Sequence, residues 1–173
     1  CLVCILGLAR PISAKESQLS ANQTYTTLVH LKASSSSQSI GQLENGTKIN
    51  TGFLTTCHLC NVLTDNGHAD VAYDLLLNRE QPSWLYEVEH GATTIWENWF
   101  GIMPNGERRS SHNHYAFGAV VAWLMSRVLG INVNAGKISI RPYTDKRLGY
   151  AKGSFVSEMG VISSEWKYVG DTV

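Results

Sequence analysis

The sequence carries no excess of charge of either sign. Fourteen Lys and Arg balance fourteen Asp and Glu among 173 residues, so the net charge is zero with the six His neutral. Non-specific nucleic-acid binding needs a clustered basic surface, and none is written here. Charged residues are also scarce, at 16% against roughly 25% in an average globular chain. Together with 43% apolar residues this excludes a disordered tail, which pairs low hydrophobicity with high net charge. Long apolar runs are missing too. The longest, Tyr115 to Leu129, falls short of the roughly 20 residues that cross a bilayer and contains Arg127, so no membrane span is expected. The length suits one domain, or a domain and part of another.

Cysteines are few: Cys1, Cys4, Cys57 and Cys60. They form two C-x-x-C pairs, but 52 residues separate the pairs, where zinc ribbons usually allow about 15–20. Both pairs lie among apolar residues at a spacing that shares one helix face, so small core-facing side chains are expected rather than zinc or redox chemistry. His90, His112 and His114 contain an H-x-H element, yet no carboxylate or cysteine sits at an obvious ligand spacing. No metal or cofactor is expected. Gly-rich phosphate loops, Gly-x-Ser-x-Gly elbows and His-Glu-x-x-His motifs are also missing.

The apolar N-terminus CLVCILGLA, followed by Arg10-Pro11, reads either as a signal-peptide h-region or as the end of a buried helix. No initiator Met or basic segment precedes it, and a chain opening on Cys1 reads as a piece of something longer. The sequons at Asn22 and Asn45 matter only on export, and secreted and cytoplasmic locations both stay open. Residues 11–50 are the most polar, with a loose helical pattern from Gln18 to Leu31 and a turn signal at Glu44-Asn45-Gly46.

From position 52 the pattern firms. Phe53, Leu54, Cys57, Cys60, Val62 and Leu63 recur at helical spacing until Asp65-Asn66-Gly67 breaks the helix. His68 to Asn78 follows, with Val71, Ala72, Leu75 and Leu76 on one face. A short apolar–polar segment after Pro82 closes at Gly91, and Thr94-Ile95-Trp96-Glu97 fits a capping box opening another helix. The apolar run 115–129 predicts a further helix. Beyond Gly130, Lys137 to Pro142 alternates with period two, and Leu148–Val156 with Val161–Tyr168 reads as an antiparallel hairpin. The expected fold class is mainly α followed by β, with strands from about 136.

Trp84, Trp96 and Trp99 fall within sixteen residues, together with Tyr86, Glu87, Glu89, His90 and Glu97. Rings beside carboxylates suit sugar recognition, since the apolar face of a pyranose packs on a ring while acids bond its hydroxyls. The competing reading makes the tryptophans core anchors and Glu97 a helix cap. Arg108-Arg109 reads as a solvated loop pair.

Several runs together carry a resemblance: Thr51-Gly52-Phe53-Leu54; Asn66 to Tyr73 (NGHADVAY); Pro82 to Tyr86 (PSWLY); Gly91 to Trp99 (GATTIWENW); and Asn113 to Val120 (NHYAFGAV). In order and spacing this chain resembles the bacterial-type α-L-rhamnosidases of glycoside hydrolase family 78 over about residues 51–168. Ile138 to Pro142 and Gly160 to Trp166 resemble the start of that family's C-terminal β-domain. The resemblance implies the C-terminal part of an (α/α)6 barrel over residues 1–132, then the beginning of an antiparallel β-sandwich domain over 133–173. It implies inverting hydrolysis of terminal non-reducing α-L-rhamnose from a glycoside or oligosaccharide. Glu97 maps onto the general base that activates water, and His114 onto a rhamnose contact, with Trp96 and Trp99 shaping the wall.

The chain departs from the family at Thr55-Thr56-Cys57, where Gly-Thr-Pro is usual, at Phe100, where an aspartate is common, and at His112, usually apolar. The family's general acid lies in an upstream Asp/Glu/Arg-rich motif that residues 1–50 do not contain. Twelve helices of about 11–12 residues with their loops need roughly 200 residues, and only about 130 precede the strands. The expectation is therefore a C-terminal fragment, inactive alone. Two other readings stand beside it. One is a lectin-like carbohydrate-binding protein using Trp84, Trp96 and Trp99 as stacking platforms. The other is a different helical-barrel sugar enzyme such as a uronyl hydrolase, against which the Ala-Thr-Thr-Ile-Trp-Glu run counts.

Overall fold

The computed structural model describes residues 48–173. The N-terminal apolar run, Cys1, Cys4, both sequons, the Gln18–Leu31 pattern and the turn at 44–46 lie outside the described residues. Helix α1 (Phe53–Asp65) is followed by α2 (Ala69–Leu77) and the short α3 (Trp84–Glu89). After a long irregular stretch, the chain re-enters helix at Ala116. It runs as a 3-10 turn to Ala119, as α4 (Val120–Trp123), and as a π turn over Leu124–Val128. Two antiparallel hairpins complete it: β1 (Ile131–Asn134) with β2 (Lys137–Ile140), and β3 (Tyr150–Ser157) with β4 (Gly160–Lys167). No helix among the described residues is long and apolar enough to cross a membrane.

Asn66 and Gly67 end α1 as the sequence predicts, Gly67 taking a φ of +84° that suits a residue without Cβ. The buried face of α1 is more polar than its apolar periodicity implies. Thr56, Cys60, Asn61 and Thr64 point inward, whereas Phe53 and Leu54 are exposed in the described chain. Burial of the threonines is tolerated because their hydroxyls are bonded. Thr56 Oγ1 donates to the Gly52 carbonyl at 2.9 Å, and Thr64 Oγ1 donates to the Cys60 carbonyl at 2.8 Å. Thr64 Oγ1 also accepts the Trp123 indole N–H at 2.8 Å, which ties α1 to α4. Tyr73 of α2 meets Trp123 edge-on at 5.2 Å. Cys60 sits in this core, where burial pushes its thiol up to about 12. Burial also raises the half-buried Cys57 thiol, so neither is a ready nucleophile.

A helix end leaves carbonyls unsatisfied, and here the second hairpin takes them. Ser164 Oγ donates to the Leu129 carbonyl and the Trp166 indole N–H to the Val128 carbonyl, both at 2.7 Å. On the outer side, Arg127 grips Asp65 with two bonds of 2.9 and 3.0 Å, a fork-to-fork pair across α1 and the π turn.

Strand β1 begins at Ile131, earlier than the expected start near 136. Its turn is Ala135-Gly136, with φ of +47° and +75°, and Asn134 pairs with Lys137 across it. Two consecutive positive φ values match the twist of a two-residue hairpin. An alanine at the first of them hides that signal from the sequence.

Candidate functional site

Two segments, 92–100 and 101–114, separate α3 from the re-entrant helix, and neither forms a helix or a named strand. The helix predicted to open at Thr94 is absent. Thr94 Oγ1 donates to the His112 carbonyl instead, and the Glu97 carboxylate accepts from Ser111. A capping box needs its partners within one turn, and here partners from fourteen to eighteen residues away displace them.

These segments lie side by side. His114 N–H donates to the Ile95 carbonyl at 2.8 Å, and Glu97 N–H to the Ser111 carbonyl at 2.9 Å. Ser111 N–H in turn donates to Glu97 Oε2 at 2.8 Å, so main chain and side chain of Glu97 are held by one residue. Glu97 Oε1 makes no hydrogen bond among the described residues. The half-buried Glu97 lines an open cavity of about 370 Å³ with Thr51, Phe53, Asn98, Trp99 and Phe100. Thus a carboxylate with one oxygen fixed and one unengaged faces a partly apolar space.

The tryptophans stand behind this surface. Trp84, Trp96 and Trp99 are 0%, 2% and 6% exposed, so the core-anchor reading describes their packing. The lectin-like alternative required accessible rings at these three positions, and the described chain offers none of them as an open platform. Trp99 stacks on Phe117 at 3.9 Å, meets Trp84 edge-on at 5.4 Å, and donates its indole N–H to the Thr51 carbonyl at 2.9 Å. Trp99 alone of the three also reaches the cavity wall. Trp96 stacks on His112 at 4.5 Å, and His112 Nε2 lies 3.0 Å from the Gly101 carbonyl. A Cβ at Gly101 would meet the Trp96 ring at 2.7 Å, which explains a glycine there. Gly101→Ala is expected to push the ring aside and lower the melting temperature by several degrees, about 1–3 kcal/mol in a thermal scan.

His114 is half-buried and off the cavity lining, stacked between Phe53 at 4.9 Å and Tyr115 at 5.0 Å. Its Nδ1 accepts the Ala116 N–H at 3.3 Å. A neutral ring accepting at Nδ1 carries its proton on Nε2, which leaves that N–H to donate outward. Phe53, on the cavity wall, bridges His114 to the space beside Glu97.

The residue that sequence reasoning passed over is Glu87. It is one acid among three in the aromatic window, and nothing in its spacing marks it. It is 1% exposed; Oε2 accepts the Trp96 N–H at 3.1 Å and Oε1 has no partner among the described residues. Burial raises its carboxyl to about 7, opposed in part by the Trp96 N–H. A carboxyl raised above its ordinary 4.5 binds its proton more tightly in the native state. Its contribution to stability is full below about 4.5 and is lost as pH climbs through about 7. The fall amounts to about 3 kcal/mol. Chemical denaturation at pH 4.5 and 8 should show that difference shrinking by this amount in Glu87→Gln.

Among the described residues no cluster of three or more His, Cys, Asp or Glu is arranged to hold a metal ion.

Comparison with known proteins places this geometry in context. The sequence profile of the bacterial α-L-rhamnosidase six-hairpin glycosidase domain matches residues 28–128. An α-L-rhamnosidase of Streptomyces avermitilis is 40% identical over 126 residues, 69% of this chain and 12% of its own length. One from Alteromonas sp. is 37% identical over 134 residues, 72% of this chain and 14% of its own. The crystal structure of Streptomyces avermitilis α-L-rhamnosidase complexed with L-rhamnose superposes with a TM-score of 0.70 at 36% identity, over 77% of this chain and 14% of that one. The native α-L-rhamnosidase of Aspergillus terreus gives 0.70 at 32% identity, over 86% of this chain and 17% of its own. This chain therefore spans about an eighth of the length of the curated relatives it matches.

Proposed function

The chain belongs to the bacterial α-L-rhamnosidases with a six-hairpin glycosidase domain, and from that premise we propose that it is the C-terminal portion of an inverting glycoside hydrolase that removes terminal α-L-rhamnose. Helices followed by antiparallel strands are the end of the helical barrel and the strands that follow it. We place the boundary between the two domains at 132/133. In this reading Glu97 is the general base. Its fixed Oε2 orients the carboxylate on the Ser111 amide, and Oε1 takes the proton of a water that attacks the anomeric carbon. Inversion requires a second carboxyl roughly 6.5–9.5 Å away to protonate the leaving oxygen. That acid belongs to a part of the enzyme upstream of this segment.

His114 donates from Nε2 to a sugar hydroxyl. Trp99 supplies the wall, and Trp96 acts from behind by holding the peptide of Glu97. The substrate is a rhamnose-containing glycoside or oligosaccharide, whose lack of charge fits a neutral protein. The observation that carries this reading is the half-engaged Glu97 carboxylate on the cavity wall.

The experiment follows an aryl α-L-rhamnoside by proton NMR with the full-length enzyme carrying this segment. β-L-rhamnose should appear first and mutarotate afterwards; α-L-rhamnose as the first product overturns inversion, and no hydrolysis overturns the activity. The purified 173-residue chain should give no turnover in the same assay. Clear release of rhamnose by it would place the proton donor inside this segment.

A further inference from the structure

We propose that Glu87 is the positioning residue for Glu97, clamping the Trp96 amide so that the peptide carrying the base holds one orientation. The inference rests on reading Glu97 as the base, and three observations support it.

The first is direction. In an extended peptide, successive N–H groups point to opposite sides. The Ile95 carbonyl and Glu97 N–H both bond to the 111–114 segment. The Trp96 N–H between them points the other way, into the protein, and Glu87 Oε2 is its acceptor at 3.1 Å. Glu87 therefore takes the place of a neighbouring strand on the side where none exists.

The second is cost. Glu87 is almost fully buried, and its Oε1 is unpartnered among the described residues. A buried unpaired carboxyl oxygen is unfavourable, and an apolar side chain would fill the same space without that penalty. A glutamate side chain is, however, long enough to bring an acceptor oxygen to the Trp96 amide, which an apolar side chain cannot supply.

The third is the scaffold. Glu87 stands on α3, whose start is capped by Ser83 Oγ accepting the Tyr86 N–H at 3.1 Å. Gly91, at a φ of +80°, turns the chain back after the helix, and the Ala92 N–H bonds to the Glu87 carbonyl at 3.0 Å. Both main chain and side chain of Glu87 thus hold the segment that leads to Glu97, and that segment has no regular structure of its own to fix it.

The test compares Glu87→Met, which keeps length and removes the acceptor, with Glu87→Gln, which keeps an oxygen. Both are made in the full-length enzyme and assayed on an aryl α-L-rhamnoside. Glu87→Met should lower kcat about 10- to 100-fold with KM within about twofold, the pattern of a displaced catalytic group rather than a lost sugar contact. Hydrogen exchange at the Trp96 amide should quicken about tenfold, as one lost hydrogen bond predicts. Glu87→Gln should restore both. A folded Glu87→Met enzyme with unchanged kcat and a protected Trp96 amide overturns the proposal. Where Glu87→Met does not fold, Glu87→Asp decides, because a carboxylate drawn back by one methylene should cost kcat and spare KM; unchanged kcat there overturns it equally. Failure of the reading of Glu97 as the base shows separately, as retained hydrolysis in Glu97→Gln, and leaves the exchange measurement at Trp96 to judge the contact.

Discussion

Glu97→Gln in the full-length enzyme is expected to lower kcat by about 10²–10⁴-fold, the range for losing a general base, while melting temperature and KM stay close to their original values. The amide keeps the shape of the side chain and still offers an oxygen to the Ser111 N–H, so the peptide pairing of Glu97 with Ser111 survives. What the variant lacks is a group able to accept a proton from water. The assay is steady-state hydrolysis of an aryl α-L-rhamnoside, with circular dichroism to show the fold intact. Turnover near the original rate in a folded variant removes Glu97 from the mechanism. Adding azide sharpens the result. A small anion admitted beside the amide should restore consumption of substrate and yield a β-rhamnosyl azide, the product expected if the proposed general acid still protonates the leaving oxygen.

Gly130→Ala carries the largest expected effect on stability. Gly130 joins the π turn to β1 at a φ of +70°, where a Cβ is unfavourable in itself. That Cβ would also lie 2.2 Å from the Arg141 carbonyl carbon and the Pro142 nitrogen. These are main-chain atoms, and the Arg141 N–H is bonded to the Gly130 carbonyl at 3.0 Å, so the neighbour cannot step aside cheaply. Strain and overpacking together should cost about 3–5 kcal/mol, equivalent to a fall of roughly 10–20 °C in melting temperature. Gly136→Ala is the internal control. It meets the same unfavourable φ, +75°, with nothing within 4 Å of the added carbon, and should cost only about 1 kcal/mol. Equal losses in the two variants would show that the crossing at Arg141-Pro142 yields.

Local signals were legible where local chemistry decides. The spacing of α1, its break at Asp65-Asn66-Gly67, the face of α2 and the β3–β4 hairpin all follow from neighbours within a few residues. The helical run near 115–129 was also visible, though not its subdivision. Its 3-10 and π turns carry no local residue signal, and Arg127 of the π turn bonds to Asp65, 62 residues away. Thr94 and Glu97 suggest a helix start because residue types show what a hydroxyl and a carboxylate can bond locally. They do not show that Ser111 and His112 will arrive to bond them instead. Glu97 stands out as a candidate through the family's Ala-Thr-Thr-Ile-Trp-Glu motif and not through its spacing. Glu87 was invisible for the opposite reason: a glutamate on a short amphipathic segment looks solvated until the fold closes over it.

The hold on Glu97 has a consequence for variation at position 111. The group that orients the carboxylate is a main-chain N–H, and the Ser111 hydroxyl is engaged separately, with Asn113, so a residue without that hydroxyl still supplies the contact to Glu97. Only proline lacks that hydrogen. A position held through its main chain and closed to one imino acid would look unremarkable in a survey of side chains, yet it stands directly against the carboxylate proposed as the base.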